Sequence, residues 1–426
     1  RVNCVGSHEL TSLPLVLDAY SFNNQRVHEL PIFRTIMNRG ILVTLAATLI
    51  LSIPIVNAEL SDYPHDDDGW LTRLAGPERL ALGDEFGCHG MPDVSILEDT
   101  NSVDACISYV NSLIPASRWG NNTMTFGLPT DSSQHSNSLE LRNSLLSSGI
   151  KAVDNSQFSE NFSDFSSFEV NAGSLEKSIA SIESIQIASQ ENGIVIMSWI
   201  AEMEDLNVRR DRDVVAWIDE QPFWFTTPGE VISSQTVVEV ESFNNTSSVV
   251  EVRQPSAESG LWDTPGNSLI TSKGINGNSL PVISVKYANG SELTELNSTD
   301  NHLREGWRYV NDSLHLSLLP NTVVLIDYES NESIDSVQVL PDTFNGMIPF
   351  IVYGLHVVDL FEWSSGFKDS SIRFTWLIEP RPVTQMDWIL PVIAGIVGIV
   401  TIIQMRRLIL SDNPSTELYS DMFESE

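Results

Sequence analysis

Carboxylates and histidines follow several short apolar runs of this chain, at the positions where parallel α/β folds gather their ligands. If they converge at one edge of a sheet, they could hold a divalent cation that polarises a carbonyl group and activates a water molecule. In chain order these residues are Asp84, Glu85, His89, Asp131, His135, Asp154, Ser156, Glu160, Glu202 and Glu204. The alternative is a set of ordinary polar loops, because acids are abundant throughout this sequence.

The runs that would position these side chains alternate with helical segments. The spacing of apolar residues predicts strands at 79–83, 124–129, 150–153 and 193–200, and helices at 102–114, 138–148 and 174–190. The segments 214–218 and 223–227 complete the series. Strand and helix alternating at this spacing predict βα units and a parallel sheet or barrel.

After residue 231 the helical patterns give way to short runs rich in β-branched residues. These runs are 236–242, 248–254, 280–287, 313–319, 322–328, 348–354 and 372–379. Asn289-Gly290, between two of them, is a strong hairpin signal. The chain is therefore predicted to be α/β and then all-β, with an antiparallel β-sandwich over residues 231–385 that contains nothing catalytic.

An apolar segment precedes these two domains. Residues 41–56 follow the basic Arg39 and lead to small residues, which is typical of a signal peptide over residues 37–58. Because Met37 is the first methionine, we interpret residues 1–36 as an upstream overhang of the reading frame. An uncleaved membrane anchor is the alternative.

A second apolar segment follows the two domains and predicts a transmembrane helix over residues 386–405. Arg406 and Arg407 come directly after it and would stay on the cytoplasmic side, in a tail over residues 406–426. The expected location is the cell membrane, with a single-pass type I topology and the ectodomain outside.

The net charge of −34 comes from 57 acidic and 23 basic residues. Phosphate binding needs a concentrated basic surface, so we expect no nucleic acid partner.

Two cysteines, Cys88 and Cys106, lie in the part of the chain that would be exported. In an oxidising compartment they are predicted to form one disulfide. A Cys88 nucleophile activated by His89 is disfavoured, because neighbouring residues on a strand point to opposite faces.

The order of five segments in the α/β region is informative. They are RLALGDEFG (79–87), TMTFGLP (123–129), LLSSGIKAVDNSQFSENFS (145–163), GIVIMSWI (193–200) and FWFTTPGEV (223–231). Together they resemble the polysaccharide deacetylase (NodB-like) family, and the last segment is the most specific. The resemblance implies a distorted, incomplete β/α barrel over residues 59–230. It also implies that Asp84 is the catalytic base and that Glu85 binds a metal ion, for which zinc is the candidate.

The family pattern is incomplete in this chain. Ser156 and Glu160 stand where the resemblance places two metal-binding histidines, so Glu160 is the remaining candidate ligand there. His89 and His135 could complete the metal set from neighbouring loops. The strand 193–200 carries no histidine where the family has a catalytic one.

Two functions follow from the resemblance. The first is a metal-dependent deacetylase that acts on an extracellular polysaccharide or cell-envelope glycan. The second is a protein that keeps the fold without the catalysis and serves in glycan binding, envelope structure or adhesion. A serine hydrolase of the GDS type is disfavoured, because Glu85 stands where the nucleophilic serine would be.

Overall fold

The computed structural model of this protein describes the residues 63–66, 69–128, 138–154, 163–176, 178–201, 211–243, 248–329, 333–383 and 389–411. They form a curled parallel sheet covered by helices, two antiparallel sheets and one long apolar helix.

The helices are α1 (Gly69–Arg73), α2 (Ala75–Leu82), α3 (Asn101–Leu113), α4 (Leu139–Ser147), α5 (Ile182–Asn192), α6 (Arg212–Asp219), α7 (Pro228–Ser233), α8 (Leu360–Ser365) and α9 (Ile389–Ser411). The parallel sheet contains β1 (Glu85–Cys88), β2 (Thr125–Phe126), β3 (Ala152–Val153), β4 (Ser166–Ser167), β5 (Val195–Ile200), β6 (Phe223–Phe225), β15 (Ile348–Val357) and β16 (Phe374–Ile378). The antiparallel sheets contain β7 (Glu239–Phe243), β8 (Val249–Arg253), β9 (Gly266–Gly274), β10 (Val282–Tyr287), β11 (Gly306–Val310), β12 (Ser313–Leu318), β13 (Val323–Tyr328) and β14 (Ile334–Pro341).

The parallel sheet has the strand order β4-β3-β2-β1-β16-β15-β5, and β6 also pairs with β15. The segment just after β4 bonds to β5 at the other edge: the amides of Asn171 and Ala172 donate to the Ile196 carbonyl, and Leu175 donates to Ser198. These bonds link the two edges of the path, so the sheet curls towards a barrel. The predicted α/β class and parallel sheet are confirmed.

The curled sheet has a helix-covered outer face and an inner face that mixes polar side chains with a small apolar cluster. Phe86 and Trp376 belong to the core that packs beneath the helices. Alternate residues of a strand point the other way. Glu85, Thr375 and Tyr353 are register neighbours on β1, β16 and β15 and therefore share the inner face.

The region before β1 differs from the prediction, because residues 79–82 end helix α2 instead of forming a strand. Pro77 fits the first turn of this helix, and Gly83 ends it with a φ of 105°, a left-handed conformation that favours glycine. The strand starts only at Glu85. Asp84 and Glu85 thus lie at the amino end of β1, and His89 follows its carboxyl end.

The antiparallel domain is inserted into the α/β domain and does not follow it. The prediction that residues 348–354 and 372–379 belong to the sandwich is wrong, because β15 and β16 lie in the centre of the parallel sheet. The β15 strand is buried along nearly its whole length. A continuous apolar run of this kind is typical of a parallel strand covered on both faces.

The inserted domain consists of two four-stranded antiparallel sheets, β10-β13-β8-β7 and β11-β12-β9-β14. Their shared core includes Val252, Leu316 and Ile326. The predicted turn at Asn289-Gly290 is confirmed, since the Gly290 amide donates to the Tyr287 carbonyl. The strands β9, β11 and β14 were not predicted.

The inserted domain is anchored at the amino end of the parallel strands. The Trp262 indole donates to the Asn122 carbonyl over 3.0 Å. Its ring packs so closely on Gly229 that a Cβ there would lie 2.3 Å away. Arg118, which lies beside Gly83, donates to the Leu303 carbonyl over 2.8 Å.

Helix α9 is long and apolar enough to cross a membrane: its window Pro391–Leu408 has a mean hydropathy of 1.5 and is not buried. The helix extends to Ser411, beyond the predicted boundary at residue 405. The predicted signal segment, residues 37–58, lies outside the described residues.

The predicted pairing of Cys88 with Cys106 is confirmed. The two residues form a disulfide and their Cα atoms are 6.2 Å apart. The bond fastens the last residue of β1 to helix α3.

Candidate functional site

Two groups of titratable side chains lie at opposite ends of the curled sheet. Asp84 and Glu85 belong to the amino end, where the inserted domain is anchored. His89, Asp154 and His356 follow or end strands at the carboxyl end, the edge at which parallel α/β folds bind ligands.

Asp84 at the amino end is fully buried and saturated with hydrogen bonds. Arg79 forms a buried ion pair with it, donating from Nε to Oδ2 and from Nη2 to Oδ1. The Trp376 indole donates to Oδ2 over 2.6 Å, and the Phe374 amide donates to Oδ1 over 3.2 Å. Both carboxylate oxygens are therefore occupied, as in a structural ion pair.

Glu85 lies inside the curled sheet and is also fully buried. It accepts hydrogen bonds from the Thr125 hydroxyl and from the Gly229 amide, the latter over 3.0 Å. Burial raises the pKa of Glu85 to about 7, and these hydrogen bonds oppose the rise only in part. No basic side chain among the described residues forms an ion pair with Glu85. At neutral pH this carboxyl is therefore close to its pKa.

His89 and His356 face each other at the carboxyl end. Their rings make an edge-to-face contact with centroids 4.0 Å apart. His89 is buried, and this burial, together with the charge of His356, lowers the pKa of His89 to about 3. His89 is therefore a neutral imidazole at neutral pH. The His356 side chain is 38% exposed, and its Nδ1 lies 3.7 Å from Glu379 Oε2.

The backbone of His356 has an unusual conformation. Its φ is 53°, in the left-handed region that non-glycine residues rarely adopt. The position coincides with a shift of register between Gly354 and Val357 where β15 pairs with β16. Bulges re-aim side chains and are frequent beside active sites, and strained residues cluster there. The strained backbone at His356 makes this end of the sheet the candidate functional end.

Asp154 follows β3 at the same edge and is half-buried. Its Oδ1 accepts a hydrogen bond from the Leu128 amide over 2.8 Å. Burial raises the pKa of Asp154 to about 7, although the Leu128 hydrogen bond and the charge of His356 both act to lower it. A carboxyl that titrates near neutral pH beside an accessible imidazole can exchange protons in both directions.

The residues predicted for the site are only partly brought together. His89 is part of the carboxyl-end group, whereas Asp84 and Glu85 lie at the other end of β1. Glu160 and His135 lie outside the described residues. Within the described ranges, no group of three or more His, Cys, Asp or Glu side chains could hold a metal ion. The described residues do not fit a zinc site.

Sequence reasoning missed His356, the most exposed member of the group. The resemblance to the deacetylases calls for a histidine-bearing strand, which was assigned to residues 193–200. The structure shows that β15 lies directly beside that strand, with Tyr353 opposite Ser198. The overlooked signal was the unbroken apolar run of β15, which ends in a histidine.

Together the carboxyl-end group offers a neutral buried imidazole, an exposed imidazole and a carboxyl with a raised pKa. Such a set of groups can move protons to and from a bound molecule. No family model matches this chain, and no curated protein or solved structure matches it either.

Proposed function

We propose that this protein is a membrane-anchored surface hydrolase that removes acyl groups from an extracellular glycan at the carboxyl end of its curled sheet. The observation that carries this proposal is the contact of His356 with His89 beside Asp154. Perturbed titratable groups on strained backbone at this edge of a parallel sheet are typical of active sites.

The exposed imidazole of His356 serves as the general base that takes a proton from the attacking water. Asp154 is partly protonated at neutral pH because its pKa is raised to about 7, and it donates a proton to the leaving oxygen or nitrogen. His89 remains neutral and holds the His356 ring in place through the edge-to-face contact. General acid–base catalysis by such groups contributes roughly 10²–10⁴-fold in rate.

The choice of a glycan substrate rests on the resemblance of five segments to the polysaccharide deacetylases. The surface location rests on α9, which is long and apolar enough to span a bilayer. Arg406 and Arg407 near its end favour a type I orientation with the curled sheet outside the cell membrane.

A second function is glycan binding or adhesion without catalysis. The hydrogen bonds and the ion pair that occupy Asp84 favour it. The position that the resemblance gives to the catalytic base is held in a buried ion pair with Arg79. A degenerate deacetylase would keep the fold and the glycan specificity without the chemistry.

Acetate release from N-acetylated and O-acetylated oligosaccharides by the full chain in detergent micelles tests the two functions. We expect His356→Gln to lower kcat by about 100-fold with little change in KM, since it removes the base and keeps the volume. A chelator is expected to leave the rate unchanged.

The matched control is His65→Gln, which changes a histidine that bridges to Pro382, does not belong to the carboxyl-end group and leaves the proposed base intact. Oligosaccharide binding without acetate release would establish the non-catalytic function. Loss of activity in the chelator would replace the metal-free mechanism by a metal-dependent one.

A further inference from the structure

A groove of about 640 Å³ runs between the curled sheet and the inserted domain. Lys151 and Ser166 line it from the sheet, Gln235 lines it from the connection after α7, and Glu239 and Glu258 line it from the inserted domain. Its volume falls within the roughly 300–1,000 Å³ of small-molecule sites, which often lie at domain interfaces. It is separate from the carboxyl-end group, because Lys151 precedes β3 and Ser166 begins β4.

The lining of this interdomain groove combines two kinds of surface. Hydroxyl, amide and carboxylate groups provide hydrogen-bond donors and acceptors for a ligand rich in hydroxyls. Ile232, Pro255 and Leu261 add apolar patches that can pack against the faces of sugar rings. A polar rim around small apolar patches suits a carbohydrate better than a purely apolar ligand.

The charged side chains of the groove determine which carbohydrates it can bind. Its lining has three carboxylates, Asp164, Glu239 and Glu258, and one cation, Lys151. Arg142 pairs with Asp164. The side-chain carboxylates of Glu239 and Glu258 make no hydrogen bond or ion pair with any residue that the structure describes. These two carboxylates are therefore available to a cationic ligand, and the net charge of −34 repels an anionic one.

We propose that the interdomain groove is a second carbohydrate-binding site, which takes glycan segments with free amino groups. The protonated amines would pair with Glu239 and Glu258, and the ring hydroxyls would bond to the Gln235 amide and neighbouring hydroxyl groups. This site goes beyond the proposed hydrolase and does not depend on it, since binding in the groove involves no residue of the carboxyl end.

Binding of glucosamine tetramers and of N-acetylglucosamine tetramers to the full chain in detergent micelles tests this site by calorimetry. We expect the free-amine tetramer to bind at least 10-fold more tightly, with an affinity that falls as salt is added. The double variant Glu239→Gln with Glu258→Gln is expected to lower its affinity about 10-fold. Both side chains are exposed and without described partners, so the fold is retained.

The charge-matched control is Glu183→Gln with Glu191→Gln, which removes two exposed acids of α5 outside the groove. It is expected to leave tetramer binding unchanged. His356→Gln is also expected to bind the free-amine tetramer normally, although it slows acetate release. The proposal would be overturned if the two tetramers bound with equal affinity or did not bind at all. It would also be overturned if the groove variant and its control lost the same affinity for the free-amine tetramer.

Discussion

The two ends of the curled sheet carry carboxyls in different environments. At the amino end, Asp84 is buried and its oxygens are occupied by Arg79 and two further donors. At the carboxyl end, Asp154 is half-buried, and the charge of the strained, accessible His356 acts on its carboxyl. Asp84 at the amino end belongs to a structural ion pair, and Asp154 at the carboxyl end is the acid that the proposed mechanism uses.

The difference shows that the partners of an acid decide its role. A carboxylate whose lone pairs are filled by buried donors has no capacity left for a substrate, and its removal leaves a buried charge unpaired. Glu85 is the intermediate case, since its pKa is raised to about 7 like that of Asp154 but its oxygens face the closed interior.

The largest effect is expected for Asp84→Asn. The change keeps the shape of the side chain but leaves the Arg79 guanidinium, only 3% exposed, without its counter-charge. Breaking a buried pair in this way costs about 3–5 kcal/mol of the free energy of unfolding, measurable by urea denaturation. Asp164→Asn breaks an exposed pair with Arg142 and should cost at most ~1 kcal/mol. If both variants lost the same free energy of unfolding, the buried pair of Asp84 would stabilise the fold no more than an exposed pair does.

A smaller effect is expected in the pH dependence of stability. The pKa of Glu85 is about 7 in the folded protein and 4.5 in the unfolded reference, so the folded state holds the proton more tightly. The resulting stabilisation is complete below pH 4.5 and is lost as the pH rises towards 7. At 1.4 kcal/mol per unit it amounts to about 3 kcal/mol.

Glu85→Gln is expected to reduce the slope of the stability curve between pH 4.5 and 7, as followed by thermal denaturation at several pH values; the slope that remains comes from Asp154, whose pKa is also raised to about 7. The same variant should keep the pH profile of acetate release, which depends on Asp154 and His356. Asp154→Asn is the comparison, because it should alter that profile. A changed pH profile in Glu85→Gln would mean that the two ends are coupled.

The smallest effect is expected for His356→Asn. Asparagine tolerates a positive φ better than histidine, so the variant should gain about 0.5–1 kcal/mol of stability while losing acetate release. The reverse change, Asn321→His in an exposed turn with a φ of 63°, should lose a similar amount. Chemical denaturation of both variants measures the pair. A loss of stability in His356→Asn would show that the imidazole contributes contacts worth more than the strain.

Local periodicity was enough to predict the helix α3, the strand β5 and the hairpin at Asn289-Gly290. It failed at residues 79–83, because a run of three apolar residues before a glycine fits a short strand and the end of a helix equally well. The structure distinguishes them through Pro77 in the first helical turn and the left-handed Gly83. The error moved Asp84 and Glu85 to the wrong end of β1.

The sheet to which β15 and β16 belong could not be predicted from composition alone. Both strands are rich in β-branched and aromatic residues, like the inserted strands that precede them. Only long-range pairing with β1 and β5 places them in the parallel sheet. Because His356 lies on β15, the same ambiguity hid the residue around which the proposed active site is built.

The short connection between β16 and α9 limits where the proposed active site can work. β16 ends at Ile378, level with the end of β15, and α9 begins at Ile389. The intervening ten residues can reach at most about 40 Å when fully extended. With α9 in a bilayer, the His356 edge would stay in the layer next to the lipid. Its polymer substrates would then be the innermost strands of the cell coat, and chains at the outer rim would pass beyond its reach.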